Sequence, residues 1–178
     1  MSTEKLKAKD QVSGGLIANT GATEGARATG KYVVECHDKD GNLKWVAETP
    51  NLVVNVGLQY MAGSALTATS QVTTWYLGLY GAASSNNPAA GDTMSSHGGW
   101  TEVTDYSEAN RPTATLAAAT LANPSVVTNS ASKATFTMNN TVTVGGAFLT
   151  SNNTKSGTTG TLFSAADFQA PGDRSVVS

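Results

Sequence analysis

An all-β fold, a β-sandwich or jelly roll with one short helix and an extended N-terminal arm, is predicted by three features of the sequence. Short runs rich in Thr and Val alternate with turn signals, no long segment carries a helical period, and the first thirty or so residues carry no period at all. At 178 residues the chain has room for one domain with a sizeable core, or one domain plus an arm, and a two-domain enzyme is not expected.

Residues 1–30 read as the arm: a charged start, then Gly14, Gly15, Gly21, Gly25 and Gly30 interleaved with Ala, Thr and Asn. Beyond the charged start, Val12, Leu16 and Ile17 are its sizeable apolar groups, and two readings stand: a disordered leader, or an arm that orders on a partner with those three side chains as anchors. The β-domain then occupies residues 31–178.

Its first element is a hairpin. Tyr32 to His37 and Asn42 to Glu48 are strand-like, and Asp38, Lys39, Asp40 and Gly41 join them, with Gly41 free to take the positive φ of a tight turn. Trp45 is expected to pack on one face. Leu52 to Val54 extend the sheet, after which Asn55 caps a short helix from Val56 to about Ala62, kept short by Gly57 and Gly63. A Ser/Thr/Ala-rich loop over 64–74 follows.

Trp75 to Tyr80 is the most hydrophobic run and reads as a central strand, bounded by a loop at 81–91. Further strands are predicted at Glu102–Tyr106, Arg111–Leu116, Val126–Thr128, Ala134–Met138, Thr141–Leu149 and Thr161–Phe163, with one helical turn near Asp92–Ser96. The end, Arg174 to Ser178, reads as entry into a last strand that is either short or completed by a partner.

Only 13% of residues are charged, the formal net charge is -2, and no Lys/Arg cluster is present, which disfavours nucleic acid. A weakly charged surface is easily covered, because few ions must be desolvated at its contacts, and this favours an assembly component. Cys36 is the single cysteine, so an internal disulfide framework and a multi-cysteine zinc site are excluded. Folding in reducing cytoplasm is expected; neither a signal-peptide core nor a membrane-spanning run is seen, so an extracellular location is not expected to be reached by an N-terminal signal, host lysis being one other route.

Candidate chemistry is sparse. Asp38, Lys39, Asp40, Gly41 and Asn42 suggest a calcium loop, but registering Gly41 at the sixth position leaves Cys36 and Ala47 where carboxylates are required, so turn chemistry is favoured. His37 and His97 belong to no metal-ligand pattern. Ser64 lacks the second glycine of a nucleophile elbow, and Cys36 and His37, adjacent in a strand, point to opposite faces. Glu102, Asp105 and Glu108 are near enough to suggest the paired carboxylates of sugar hydrolysis, although a solvated strand and turn is the simpler reading. Trp75, Trp100 and Tyr106 are placed to stack on sugars or, more simply, to fill a core. No enzyme, cofactor or metal site is therefore expected.

The blocks Tyr32–Glu35, Asp38–Trp45 and Asn51–Leu58 resemble small structural proteins of tailed bacteriophages. The resemblance continues through Trp75–Leu79, Gly91–Met94 with His97, Trp100–Glu102, Tyr106, Ser107, Arg111, Pro112 and Gly145–Leu149, and covers roughly residues 31–177. Members of this family are described as capsid decoration (cement) proteins and as tail-fibre-like proteins; they usually continue past a Gly-Asp turn into one more strand. The resemblance implies a virion structural protein on the outer capsid surface, with the major capsid protein and further copies of itself, a trimer before a dimer, as partners. A tail-fibre or receptor-binding module contacting host glycans is the alternative.

Overall fold

The structure, a computed structural model, describes residues 28–81, 87–169 and 172–177. It opens on the predicted hairpin, β1 (Lys31–His37) and β2 (Leu43–Pro50), paired antiparallel with Val34 opposite Ala47. Its turn is closed by Asp38: the Oδ1 atom accepts the backbone N–H groups of Asp40 and Asn42, and Oδ2 accepts the Asn42 side-chain amide. Those bonds hold the Asp38 carboxyl below the usual carboxylate range. Gly41 takes φ 85°, a left-handed conformation that side chains disfavour. Alternate residues Tyr32, Val34, Cys36, Trp45 and Ala47 turn inward, whereas Val33, Val46 and His37 stay exposed.

The larger sheet has seven strands: β3 (Leu52–Val53), β4 (Trp75–Gly81), β5 (Glu102–Val103), β6 (Thr113–Ala114), β7 (Val142–Thr150), β8 (Leu162–Asp167) and β9 (Arg174–Val176). At its centre β4 and β7 pair antiparallel, Leu79 opposite Ala147. β5 and β6 lie end to end along the outer side of β4, and β8 and β9 do the same along β7, with the Phe168 N–H to Gly145 carbonyl bond between them. β3 borders β8. β9 is thus three residues long and pairs with β7 within the chain.

Period-2 alternation gives this sheet two apolar faces. One face carries Leu79, Val103, Val144, Ala147, Phe168 and Val176, and the hairpin packs on it. The other carries Tyr80, Phe148, Leu162 and Ala165, covered by Val54, Val56, Met94 and Trp100. Gly78 and Gly146 are required here. A Cβ on Gly78 would enter the Phe148 ring and one on Gly146 would enter the Tyr80 ring, so the rings lie across strands that offer no side chain at those points.

The helix α1 (Asn55–Leu66) is longer than expected. Asn55 is its first residue rather than its cap; Val54 precedes it in extended conformation and makes no side-chain cap bond. Gly63 does not stop the helix, because its carbonyl receives the N–H groups of Thr67 and Thr69 and the Thr67 hydroxyl, which close the final turn. Gly57 sits so close to Phe163 that a Cβ would overlap that residue's carbonyl, which brings α1 tightly onto β8.

Other expectations need correction. The helical turn at 92–96 is a bend joined by a Thr93–Ser96 bridge: Asp92 accepts from the Ala89 N–H and Thr93 Oγ1 from the Ser96 N–H, drawing the backbone away from helix. Residues 126–128 and 134–138 are not strands. The latter keep strand-like alternation, with Phe136 and Met138 packed on the hairpin-side core, but a Tyr106–Met138 bridge and the bond from the Thr137 N–H to the Glu108 carboxylate, rather than a ladder, join them to a neighbour. The predicted strands at 102–106 and 111–116 shrink to two residues each, because the chain between them leaves β4. β8 instead extends to Asp167. All-β with one helix therefore describes the fold.

Candidate functional site

The three carboxylates considered for glycoside chemistry are spent on structure. Glu102, at the start of β5, faces Arg111 in a two-pronged pair, Arg111 Nε to Oε1 at 2.8 Å and Nη2 to Oε2 at 2.9 Å, with side chains 6% and 1% exposed. Arg111 also donates to the carbonyls of Asn152 and Gly157, while the Ser156 N–H, at a positive φ of 55°, donates to Glu102 Oε2. This network clamps the loop after β7 to the sheet edge. Asp105 accepts from the Asn140 amide. Glu108 accepts the Thr137 N–H; burial pushes its carboxyl up, but these bonds prevail and leave it below the usual range. Lys155 lies 3.7 Å from the Tyr106 ring centroid and donates to the carbonyls of Thr104 and Tyr106. Burial raises the Tyr106 phenol well above its ordinary pKa.

The aromatic residues are packed. Trp100 is 4% exposed, stacked on His97 at 4.0 Å, with its indole N–H on Asp92. Trp75 is held edge-on between Tyr60 and Phe163, and Tyr106 meets Phe136. Ser64 Oγ donates back to the Met61 carbonyl, as a helix serine does. His37 is exposed beside Glu35 and the Gly41 carbonyl, while Cys36 faces the core. Among the described residues no group of three His, Cys, Asp or Glu is placed to hold a metal ion. Val12, Leu16 and Ile17 lie outside the described residues.

An open cleft of about 420 Å³ borders β8, and Asp167 is the titratable side chain in its wall. Asp167 accepts the Tyr80 hydroxyl; burial, reinforced by nearby Asp173, raises its pKa above the ordinary value, against the pull of that bond. Acid–base chemistry needs a second group across the cleft, and the wall supplies none among the described residues.

What stands uncovered is an arm of another kind. From β6 the chain runs out over residues 115–132 and returns toward Lys133, and residues 115–128 are exposed throughout. The arm is cross-braced: Ala117 N–H to the Thr128 carbonyl, Thr120 N–H to the Val126 carbonyl, Val126 N–H to Thr120 Oγ1, and Ser125 Oγ to the Thr120 carbonyl. Leu116, Val126 and Val127 are 39%, 47% and 52% exposed, and Leu121 at the tip is fully exposed. Residues 112–132 contain no Asp, Glu, Lys, Arg or His. At the base, Lys133 Nζ reaches Glu35 Oε1 at 2.6 Å on the outer face of the hairpin and holds the Glu35 carboxyl below its usual range.

No known protein family, curated protein or solved structure matches the chain. A neutral, apolar, internally bonded projection is suited to binding another macromolecule, since exposed side chains of this kind gain most when they are covered. The sequence carried a signal for it, the charge-free run 112–132 with four large apolar residues, but the Val126–Thr128 triplet resembles a core strand when taken by itself.

Proposed function

We propose that the protein is a bacteriophage virion structural protein, a capsid decoration (cement) protein that binds the outer surface of a shell of major capsid protein and stabilises it. The observation that carries this reading is the uncovered, charge-free arm 115–132 on a molecule whose candidate catalytic side chains are engaged in structural bonds. The resemblance of residues 31–177 to phage structural proteins supports the same conclusion. On this reading the hairpin sheet and the larger sheet are the two layers of a β-sandwich, the copies assemble as trimers, and residues 1–30, with Val12, Leu16 and Ile17, contribute to capsid attachment. No catalytic step is assigned. The tail-fibre alternative draws less support, because Trp100 and Trp75, the side chains suited to stacking on sugars, are occupied by His97, Tyr60 and Phe163.

The deciding experiment is sedimentation of the purified full chain with shells assembled from major capsid protein, followed by cryo-electron microscopy. Saturable binding at lattice positions is the expected result. Failure to bind, or density for the protein at the tail tip of intact particles, overturns the reading.

A further inference from the structure

We propose that the cleft beside β8 is a binding site for a lysine or arginine side chain of a partner protein, with Asp167 as the counter-charge. The choice of partner rests on the assembly reading above, and places that side chain on the surface of the major capsid protein. The cleft, of about 420 Å³, lies where the end of β2 and the start of β3 border β8, and the Thr49 hydroxyl closes one side of it by donating to the Asp167 carbonyl at 2.6 Å. Pro50, Leu52, Pro88, Ala165, Ala166 and Phe168 make its wall mostly apolar, and Asp167 is the one ionisable residue in that wall.

Asp167 carries a charge that the fold does not match. Its Oδ1 accepts the Tyr80 hydroxyl at 3.2 Å, and the neighbouring titratable group, Asp173, is a like charge. No Lys or Arg among the described residues is paired with it. Lys31, Lys39, Lys133 and Arg111 face Glu48, Asp40, Glu35 and Glu102, Lys155 holds the carbonyls of Thr104 and Tyr106, and Arg174 holds that of Gly172. An asparagine would accept the same bond from Tyr80 with no charge to bury, so the carboxylate is a cost to the free molecule. A cation bound beside it offsets that cost.

The wall narrows the kind of cation. A divalent metal takes several oxygen ligands, and among the described residues no group of three His, Cys, Asp or Glu is placed to supply them. An anion would be repelled by Asp167 and Asp173, and a neutral sugar or an apolar chain would leave the carboxylate without a counter-charge. A lysine or arginine side chain suits both parts of the wall, because its methylene stem lies on apolar surface while its head reaches the carboxylate. The pair forms within the cleft, where salt screens it less than on an open face.

Nuclear magnetic resonance of the isotope-labelled full chain tests the site. Titration with Nα-acetyl-lysine amide, or with its arginine counterpart, should give saturable shifts at residues 49–52 and 165–169. Nα-acetyl-norleucine amide keeps the stem without the ammonium group and should bind at least ~10-fold more weakly, as should the lysine probe to Asp167→Asn with its remaining spectrum unchanged. Equal binding of the norleucine probe, or undiminished binding to Asp167→Asn, overturns the proposal. So does the absence of shifts with both cationic probes, the result expected if a cation from residues 1–27 already fills the cleft. On assembled shells, a carbodiimide should link residue 167 to a lysine of the major capsid protein, read by mass spectrometry; a link to a lysine of this chain overturns the choice of partner. The two readings fail separately. Probe binding by a protein that does not bind shells leaves the site standing and removes the capsid role, whereas shell binding at native strength by Asp167→Asn does the reverse.

Discussion

The carboxylate of Glu102 receives two N–H bonds from Arg111 and one from Ser156 where both charged side chains are almost wholly excluded from water. Removing one partner of such a pair leaves a buried guanidinium with two carbonyls but no counter-charge, and this costs more than the pair itself contributes. Glu102→Ala should therefore lower unfolding free energy by about 3–5 kcal/mol in urea titrations, with Glu102→Gln losing less because one acceptor oxygen remains. A loss under ~1 kcal/mol would show that the clamp is not holding the loop. The pKa of Asp167 is shifted in the opposite direction to that of a typical stabilising carboxylate. Its folded pKa is raised by burial, so its contribution is present below the ordinary Asp value and is lost as pH rises through the raised one. Asp167→Asn keeps an oxygen for the Tyr80 hydroxyl and has no charge to bury. It should match or exceed the native melting temperature at neutral pH and lose that advantage in acid, which thermal melts across pH 3–7 would read directly.

At the scale of elements, glycine in a strand marks where another group lies across the backbone, and Gly78 in β4 makes room for the Phe148 ring. Gly78→Ala should cost about 1–3 kcal/mol by overpacking, checked by the denaturation midpoint; an equal change at Gly91, where a Cβ meets open space, should have little effect. Such local demands explain what the sequence made legible. The first hairpin could be read because Asp38 and Gly41 specify the turn and alternate apolar residues specify the face. β4 could be read because its run from Trp75 to Tyr80 is buried on both sides of the sheet. Less could be read where a side chain acts at a distance: α1 outruns Gly63 because Thr67 and Thr69 cap that carbonyl, and the bend at 92–96 depends on Asp92 and Thr93 bonding their own backbone. The pairing of Glu102 with Arg111 was hidden for the same reason, since proximity in sequence grouped Glu102 with Asp105 and Glu108 instead. The arm escaped because apolar residues between turns look alike whether they are buried or uncovered.

For the molecule as a whole, charge is scarce, and among the described residues the ion pairs lie on the hairpin's outer face or within its turn, as with Lys31–Glu48, Lys133–Glu35 and Lys39–Asp40, or in the buried clamp of Glu102 and Arg111. Exposed pairs are screened by salt and contribute little, while apolar contacts are indifferent to moderate salt. Recognition through a neutral arm and attachment to a shell by this weakly charged surface should therefore depend little on ionic strength. Raising sodium chloride from about 0.05 M to about 0.5 M, across which the Debye length falls several-fold, should change shell binding by less than ~2-fold. A loss of ~10-fold or more over that range would point to the ion pairs around Glu35 and Glu48 as the contacts that matter, and the arm would then be an exposed loop with no part in assembly.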